Sequence, residues 1–398
     1  YWFVWRALPQ TSGGLTAPVS APATVVRDSL GVPHISASTW QDAIFLQGFV
    51  TAQDRLWQMD AMRRLAAGEL AEVVGPRALD SDTDARRLRL PELAETQERR
   101  LTPEAREILA AYARGVNYYL DLHRDNLPVE FSILRYDPRP WRAADTLLIG
   151  MQMAKVLNSS WREELRKLHM LQSGDAQKVS YLFPSRLAQE VAPGSNAWVV
   201  SGQHTANGKP MLANDPHLEF AMPSAWYMVH LKAGDLDVTG ASLPGVPAVL
   251  IGHNGRIAWG ETNLEFDLQD LYGERVDANT AKYAYRGQVE QGRILQSAIA
   301  VKGQKTVPAV GLVTRHGPLV ASDQGQSYVM QWLTPGLNGP VDFPFLALNL
   351  AGNWQEFKAA LARFPRDSER AQMLQAFTRD GASRRIAVED VLWALLNT

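Results

Sequence analysis

Chains that make or break bonds carry particular residue types at particular spacings, and the commonest of those patterns are missing here. No G-x-S-x-G turn presents a serine above a sheet, no glycine-rich loop cradles phosphate, and no H-E-x-x-H stretch sets two imidazoles on one helix face. The 8 histidines are scattered, and His204, His217 and His230 lack helical ligand spacing, which argues against zinc. With no cysteine, disulfides, thiolate metal sites and thiol nucleophiles are excluded. Two features stand out. Pro193-Gly194-Ser195-Asn196-Ala197-Trp198-Val199-Val200 sets a serine behind a turn dipeptide at the mouth of an apolar strand. Taken alone, it reads as a loop ending and a strand beginning. Asp267 and Asp270, three apart in what reads as a loop before a strand, are hard oxygen donors that suit Ca²⁺ far better than zinc or copper. By themselves they are what any surface loop carries.

The framework for these residues is large. A length of 398 residues is about two to three domains' worth of chain. An apolar share of 46% and a charged share of 21% exclude disorder, collagen-like repeats and coiled coil as overall descriptions. Lys plus Arg number 40 against 42 Asp plus Glu, so a net charge of -2 gives no electrostatic case for nucleic acid or anionic membrane as the main partner. No run of about 18 apolar residues reads as a membrane span. Tyr1-Trp2-Phe3-Val4-Trp5-Arg6-Ala7-Leu8, ahead of Pro9, reads either as the trailing edge of a signal or anchor helix or as a short strand or docked arm.

Periodicity divides the chain near residue 195. Before it, Gln41 to Leu70 repeats apolar residues at three and four, Thr102 ahead of Pro103 and Glu104 starts a helix, and Leu147 to Lys155 and Glu163 to Leu171 read as helix. After it, Asn196 to Ser201, Pro210 to Ala213, Ala225 to Lys232, Asp237 to Gly240 and Ala248 to Ile251 read as short strands. Asn254-Gly255 predicts a hairpin on a type I′ turn. Ile294 to Val301, Val307 to Thr314 and Tyr328 to Trp332 add strands, and Trp354 to Phe364, Glu369 to Thr378 and Val388 to Leu396 return to helix. Helices, then strands, then helices predict a layered α+β fold of antiparallel sheets covered by helices.

After Ser195 the chain continues with Leu212-Ala213-Asn214-Asp215-Pro216-His217-Leu218, Leu243-Pro244-Gly245-Val246-Pro247, Gly252-His253-Asn254-Gly255, Trp259-Gly260 and Asp267-Leu268-Gln269-Asp270-Leu271-Tyr272. Before it come Arg27-Asp28, Gly31-Val32-Pro33-His34-Ile35 and Ala52-Gln53-Asp54-Arg55-Leu56-Trp57-Gln58-Met59. In this order the series resembles the penicillin acylase family of N-terminal-nucleophile hydrolases. The resemblance implies the four-layer αββα form of the α+β class, with 1–194 like the helical α-subunit and 195–398 like the catalytic β-subunit.

It further implies that the bond between Gly194 and Ser195 is cut by the chain itself. Ser195 then carries both the nucleophilic hydroxyl and an α-amine, of reference pKa about 7.7 to 8.0, to deprotonate it, so no triad is needed. His217 matches the residue that holds the nucleophile, the main-chain N–H of Asn263 matches one oxyanion donor, and Arg370 matches an arginine near the active site. Asp267, Asp270, the Gln269 carbonyl and Glu164 match a structural Ca²⁺ site; no organic cofactor is implied. Leu218, Phe220, Trp226 and Ile251 match an acyl pocket or else belong to a core; aliphatics at 218 and 251, where penicillin G acylases carry aromatic rings, keep fatty-acyl amides, acyl-homoserine lactones, β-lactam side chains and peptides all open as substrates. The partner expected is a small acyl amide, not nucleic acid, with α and β chains from one precursor, exported to the periplasm or beyond.

The sequence departs from the family between Trp354-Gln355-Glu356-Phe357 and Glu369-Arg370. Ala362-Arg363-Phe364-Pro365-Arg366-Asp367-Ser368 contains no asparagine, whereas the family's second oxyanion donor is an asparagine side chain from such a stretch. The chain is therefore expected to be internally deleted there and shortened at its C-terminus. Loss of one such donor typically costs about 10²- to 10³-fold in turnover. The alternative expectation is a catalytically impaired, calcium-binding structural remnant of the same fold.

Overall fold

The computed structural model describes residues 5, 7–157, 161–183, 185–186, 189–190, 195–218, 220–263, 268–323, 325–332 and 340–361. In the first half, strands β1 (Thr24–Arg27) and β2 (Pro33–Ala37) precede the long helix α1 (Trp40–Ala67). Thr39 caps α1 by accepting from the Asp42 N–H, and Gly68, left-handed at φ 67°, ends it. Helix α2 (Pro103–Leu122) starts where expected, the Thr102 hydroxyl accepting from Ala105 N at 3.2 Å. It packs on α1 through glycines, since a Cβ on Gly115 would lie 1.8 Å from the Phe45 carbonyl oxygen. Helices α3 (Ala143–Leu157) and α4 (Trp161–Ser173) follow. Among the described residues no helix is long and apolar enough to cross a membrane.

The second half opens with β3 (Asn196–Val200) and β4 (Met211–Asp215), an antiparallel hairpin. Strands β5 (Tyr227–Ala233), β6 (Leu236–Ser242), β7 (Ile251–His253) and β8 (Ala258–Trp259) complete a six-stranded sheet of order β1-β2-β5-β6-β7-β8. All its pairings are antiparallel except β2 with β5. One face presents Ile35, Leu231 and Val238 to Phe45, Tyr112 and Leu348 in a single core drawn from both halves of the chain. The opposite face carries a row in register, Val26, His34, His230, Thr239 and His253. Strand β9 (Gln269–Glu274) pairs with Gln326–Trp332 in a separate three-stranded sheet. The α+β class is as the sequence predicts. The C-terminal helices expected at Glu369 to Thr378 and Val388 to Leu396 lie outside the described residues.

Three local expectations are corrected. The Asn254-Gly255 hairpin forms, but residues 254–257 lie between the paired His253 and Ala258, and of the two only Gly255 takes a positive φ, 77°. Asn254 instead folds the loop with its side chain, Oδ1 accepting from Arg256 and Ile257 N–H at 3.1 and 3.0 Å. Type I′ signs occur at Arg286-Gly287, φ 47° and 79°, between the paired strands Lys282–Tyr285 and Gln288–Gln291. Asp270 lies within strand β9 rather than in a loop ahead of it.

The run Ala248 to Leu250 is not strand either: side-chain amides take the backbone bonds of Ala248 and Val249, and Leu250 alone donates to the neighbouring strand, at the Ala241 carbonyl. Gln47 brackets Ala248 (N–H to Oε1 2.8 Å, Nε2 to carbonyl 3.0 Å) and Asn349 brackets Val249 (2.8 and 2.7 Å). So held, Ala248 sits at φ 67°, a position an L-residue rarely takes. Asn349→Ala strands a buried N–H and a buried carbonyl together, so urea unfolding of this variant is expected to show a loss of about 2–5 kcal/mol.

Candidate active site

Ser195 stands half-buried immediately before β3. Pairing of Asn196 with Asp215 brings the turn after β4 back beside it, and the His217 N–H donates to Ser195 Oγ at 3.1 Å. The structure thus brings Ser195 and His217 together, through the main chain of His217. The imidazole faces elsewhere: Nε2 lies 2.9 Å from Asp215 Oδ2 and 3.2 Å from Asn196 Nδ2. Carboxylate can only accept and amide nitrogen can only donate, so a protonated Nε2 serves Asp215 and a bare one serves Asn196.

A residue quoted only as part of a motif organises the surroundings. Asn214 donates through Nδ2 to the carbonyls of Asn196 (3.0 Å) and Glu261 (2.9 Å), and its Oδ1 accepts from Glu261 N–H at 3.1 Å. It clamps the start of β3 to the segment 260–263, which contains the proposed oxyanion donor. Glycine is required at 260, where a Cβ would meet Asn214 Cγ at 2.6 Å. Asn263 is tied by its side chain to α3, Nδ2 donating to the Leu157 carbonyl at 2.7 Å. Glu261 is exposed as a residue, but desolvation of its carboxyl by the surrounding protein pushes it up to about 7. Nothing in the sequence marks Glu261, whereas Asn214 lies in the quoted motif. Asn214→Ala releases this clamp, and a fall of about 10²-fold in kcat for a misplaced site is the expected readout in steady-state kinetics.

The other candidates are spread more widely. Leu218, Trp226 and Ile251 are half-buried, Trp226 against the main core, while Phe220 projects fully into solvent. Glu164 is half-buried on α4, and Gln269 (1% exposed) and the exposed Asp270 are adjacent on β9. Among the described residues no three His, Asp or Glu side chains gather as a metal-holding group. All three residues supply oxygen, as a hard cation requires, and the buried Gln269 Oε1 has no hydrogen-bond partner among the described residues. Gly194, Asp267 and Arg370 lie outside the described residues. A cleft of about 480 Å³ lined by Glu69, Pro91, Arg139 and Arg142 belongs to the helical half and includes none of the candidates.

Comparison with known proteins was made on this footing. The acyl-homoserine lactone acylase QuiP of Pseudomonas aeruginosa is 35% identical over 364 residues, covering 80% of this chain and 42% of the relative. The penicillin acylase 2 proenzyme of a Pseudomonas species is 33% identical over 358 residues, covering 80% and 46%. The solved thermostable penicillin G acylase from Alcaligenes faecalis, in its tetragonal form, aligns with a TM-score of 0.37 at 28% identity over 43% of this chain and 97% of that one. The chain spans less than half the length of these two curated relatives. A family model described as penicillin amidase matches residues 22–368, most of the chain, which therefore belongs to the penicillin amidase family.

Proposed function

We propose that the chain is the self-processing part of an amidohydrolase whose nucleophile is Ser195. In maturation, Ser195 Oγ attacks the Gly194 carbonyl carbon, the peptide nitrogen leaves as the Ser195 amine, and water hydrolyses the resulting ester to free the Gly194 carboxylate. In turnover that amine takes the Oγ proton, Oγ attacks the substrate carbonyl, and the amine product leaves with a proton. Water then splits the acyl-ester and releases the carboxylic acid. The Asn263 N–H serves the oxyanion, and Arg370 takes the part of the family's arginine. Family membership supports this reading, and the observation that carries it is the His217 N–H on Ser195 Oγ at 3.1 Å, which holds the hydroxyl without consuming its proton.

The substrate class is N-acyl compounds, and the relatives are named for acyl-homoserine lactones and penicillins. Aliphatic Leu218 and Ile251, where penicillin G acylases carry aromatic rings, favour a flexible fatty-acyl chain over a phenylacetyl ring. Glu164, Asp267, Asp270 and the Gln269 carbonyl would hold Ca²⁺ in a structural role. Residues 1–194 and 195–398 act as α- and β-chains of one exported precursor.

The test offers the chain a long-chain N-acyl homoserine lactone and an N-phenylacetyl anilide and measures amine release. Turnover of the fatty-acyl compound above that of Ser195→Ala is expected; background rates on both overturn the assignment. The second reading, a non-catalytic calcium-binding remnant, draws on the exposure of Trp198, Val199 and Met211 in the very hairpin that follows Ser195. A melting temperature that rises with Ca²⁺ and falls with chelator, alongside background turnover, is the outcome that reading requires.

A further inference from the structure

The sheet face turned away from the helices carries an unusual pair of imidazoles. Parallel pairing of β2 with β5 sets His34 opposite His230, with Nδ1 atoms 2.9 Å apart and ring planes at 88°. A carboxylate flanks the outer nitrogen of each ring: His230 Nε2 is 2.8 Å from Asp237 Oδ1, and His34 Nε2 is 3.4 Å from Asp28 Oδ2. Asp28 is itself fixed, its Oδ1 accepting from the N–H groups of Leu30 and Val32 at 2.8 and 3.0 Å.

The Asp237 carboxylate, which only accepts, takes the hydrogen on His230 Nε2 at 2.8 Å, and Asp28, 3.4 Å from His34 Nε2, favours the same tautomer more weakly. Two Nδ1 atoms 2.9 Å apart need either a hydrogen on one of them or a cation between them. Imidazoles whose second nitrogen is anchored on a carboxylate are the usual form of metal-binding histidines, since the anchor fixes the tautomer and raises ligand basicity. The other charged group here is Lys232, whose Nζ is 3.4 Å from Asp237 Oδ2; across the row β1 offers Val26 and β6 offers Thr239, with His253 beyond. Two carboxylates against one ammonium favour a positive occupant.

We propose that His34 and His230 form a two-imidazole site for a borderline divalent transition-metal ion, Zn²⁺, Ni²⁺ or Cu²⁺, held between the two Nδ1 atoms. Metal–nitrogen distances of about 2.0–2.1 Å at a tetrahedral angle call for nitrogens about 3.3 Å apart, so the rings need only part by a few tenths of an ångström. Side-chain exposures of 39% for His34 and 23% for His230 leave room for water to complete the coordination. Nitrogen donors exclude Ca²⁺ and Mg²⁺ as preferred occupants, and Cu²⁺ should bind most tightly. The two ligands lie 196 residues apart, so the ion would fasten the first strands of the chain to the strands after Ser195. The site stands independently of the chemistry at Ser195.

Competition for Zn²⁺ against a chromogenic chelator tests it on the full chain. One equivalent more should be bound by the native chain than by the His34→Gln/His230→Gln double variant, each single variant should weaken that equivalent at least tenfold, and Asp237→Asn should weaken it about 10- to 100-fold. Melting in the presence of EDTA establishes that each variant folds. Paramagnetic resonance of Cu²⁺ bound to the native chain needs no variant and should show couplings from two equivalent imidazoles. Equal zinc binding by native chain and double variant, or a copper signal with fewer than two imidazole nitrogens, overturns the proposal.

Discussion

On the proposed mechanism, Ser195→Ala is expected to abolish amide hydrolysis, with a loss of at least about 10⁴-fold in kcat, because nucleophile and base would act as one unit and removing the hydroxyl leaves the amine nothing to activate. The same variant should melt close to the native chain. Ser195 is half-buried and its Oγ accepts a hydrogen bond from His217 N, a contact whose removal costs only about 0.5–1.5 kcal/mol. Stopped-flow or steady-state amine release gives the first quantity and a urea curve the second. The pH profile carries separate information. The α-amine must be neutral to act, so kcat/KM should rise with pH through the amine's range, about 7.7 to 8.0 for an unperturbed group, and chemical acetylation of that amine should remove activity altogether.

Asp60→Asn is the substitution expected to damage the fold most. The Asp60 carboxylate, 1% exposed, accepts from Arg63 Nε and Arg64 Nε at 2.8 Å each and from the Tyr136 hydroxyl at 2.7 Å. Arg63, equally buried, has a second carboxylate in Asp145 at 3.2 Å, but Arg64 relies otherwise on the half-exposed Glu72. Neutralising Asp60 removes the carboxylate that the two buried guanidinium groups share and leaves each with a single counter-ion, and breaking a buried pair in this way typically costs about 3–5 kcal/mol. Burial alone would raise the Asp60 pKa; the Arg63 charge, the Tyr136 hydroxyl and the Arg64 charge outweigh it and hold the carboxyl below its usual value. The sign of the pH dependence follows. This contribution is fully present above the unfolded carboxyl range, about pH 4, and is lost as pH falls through the lower folded value. Urea unfolding at neutral pH should therefore separate native chain and variant widely, and the gap should narrow in strong acid.

Neither the Asp60 cluster nor the backbone clamps on residues 248 and 249 is visible in periodicity, and the reason is range. Gln47 reaches Ala248 across 201 positions and Asn349 reaches Val249 across 100, so an apolar run that looks like strand is held by side chains from elsewhere. Local chemistry was legible where it is decided locally, as with Thr102-Pro103 at the head of α2 and the strand after Ser195. Turn type was not, because Asn254 spends its amide on Asn349 and Ala351, and that partnership rather than the Asn-Gly pair shapes the loop. At the candidate site, the ordered motifs name Ser195 and His217, and the structure sets the two side by side. The clamp made by Asn214 is not legible there, since it depends on Glu261 coming within hydrogen-bond distance of β4 and on Gly260 leaving room for the Asn214 side chain.

The central claim is that the bond ahead of Ser195 opens to create the catalytic amine. Intact-mass analysis with N-terminal sequencing of the purified protein measures it directly. A new chain beginning Ser-Asn-Ala-Trp, present in the native protein and absent from Ser195→Ala, is predicted; acyl-amide turnover by protein that stays uncut at this bond contradicts the account.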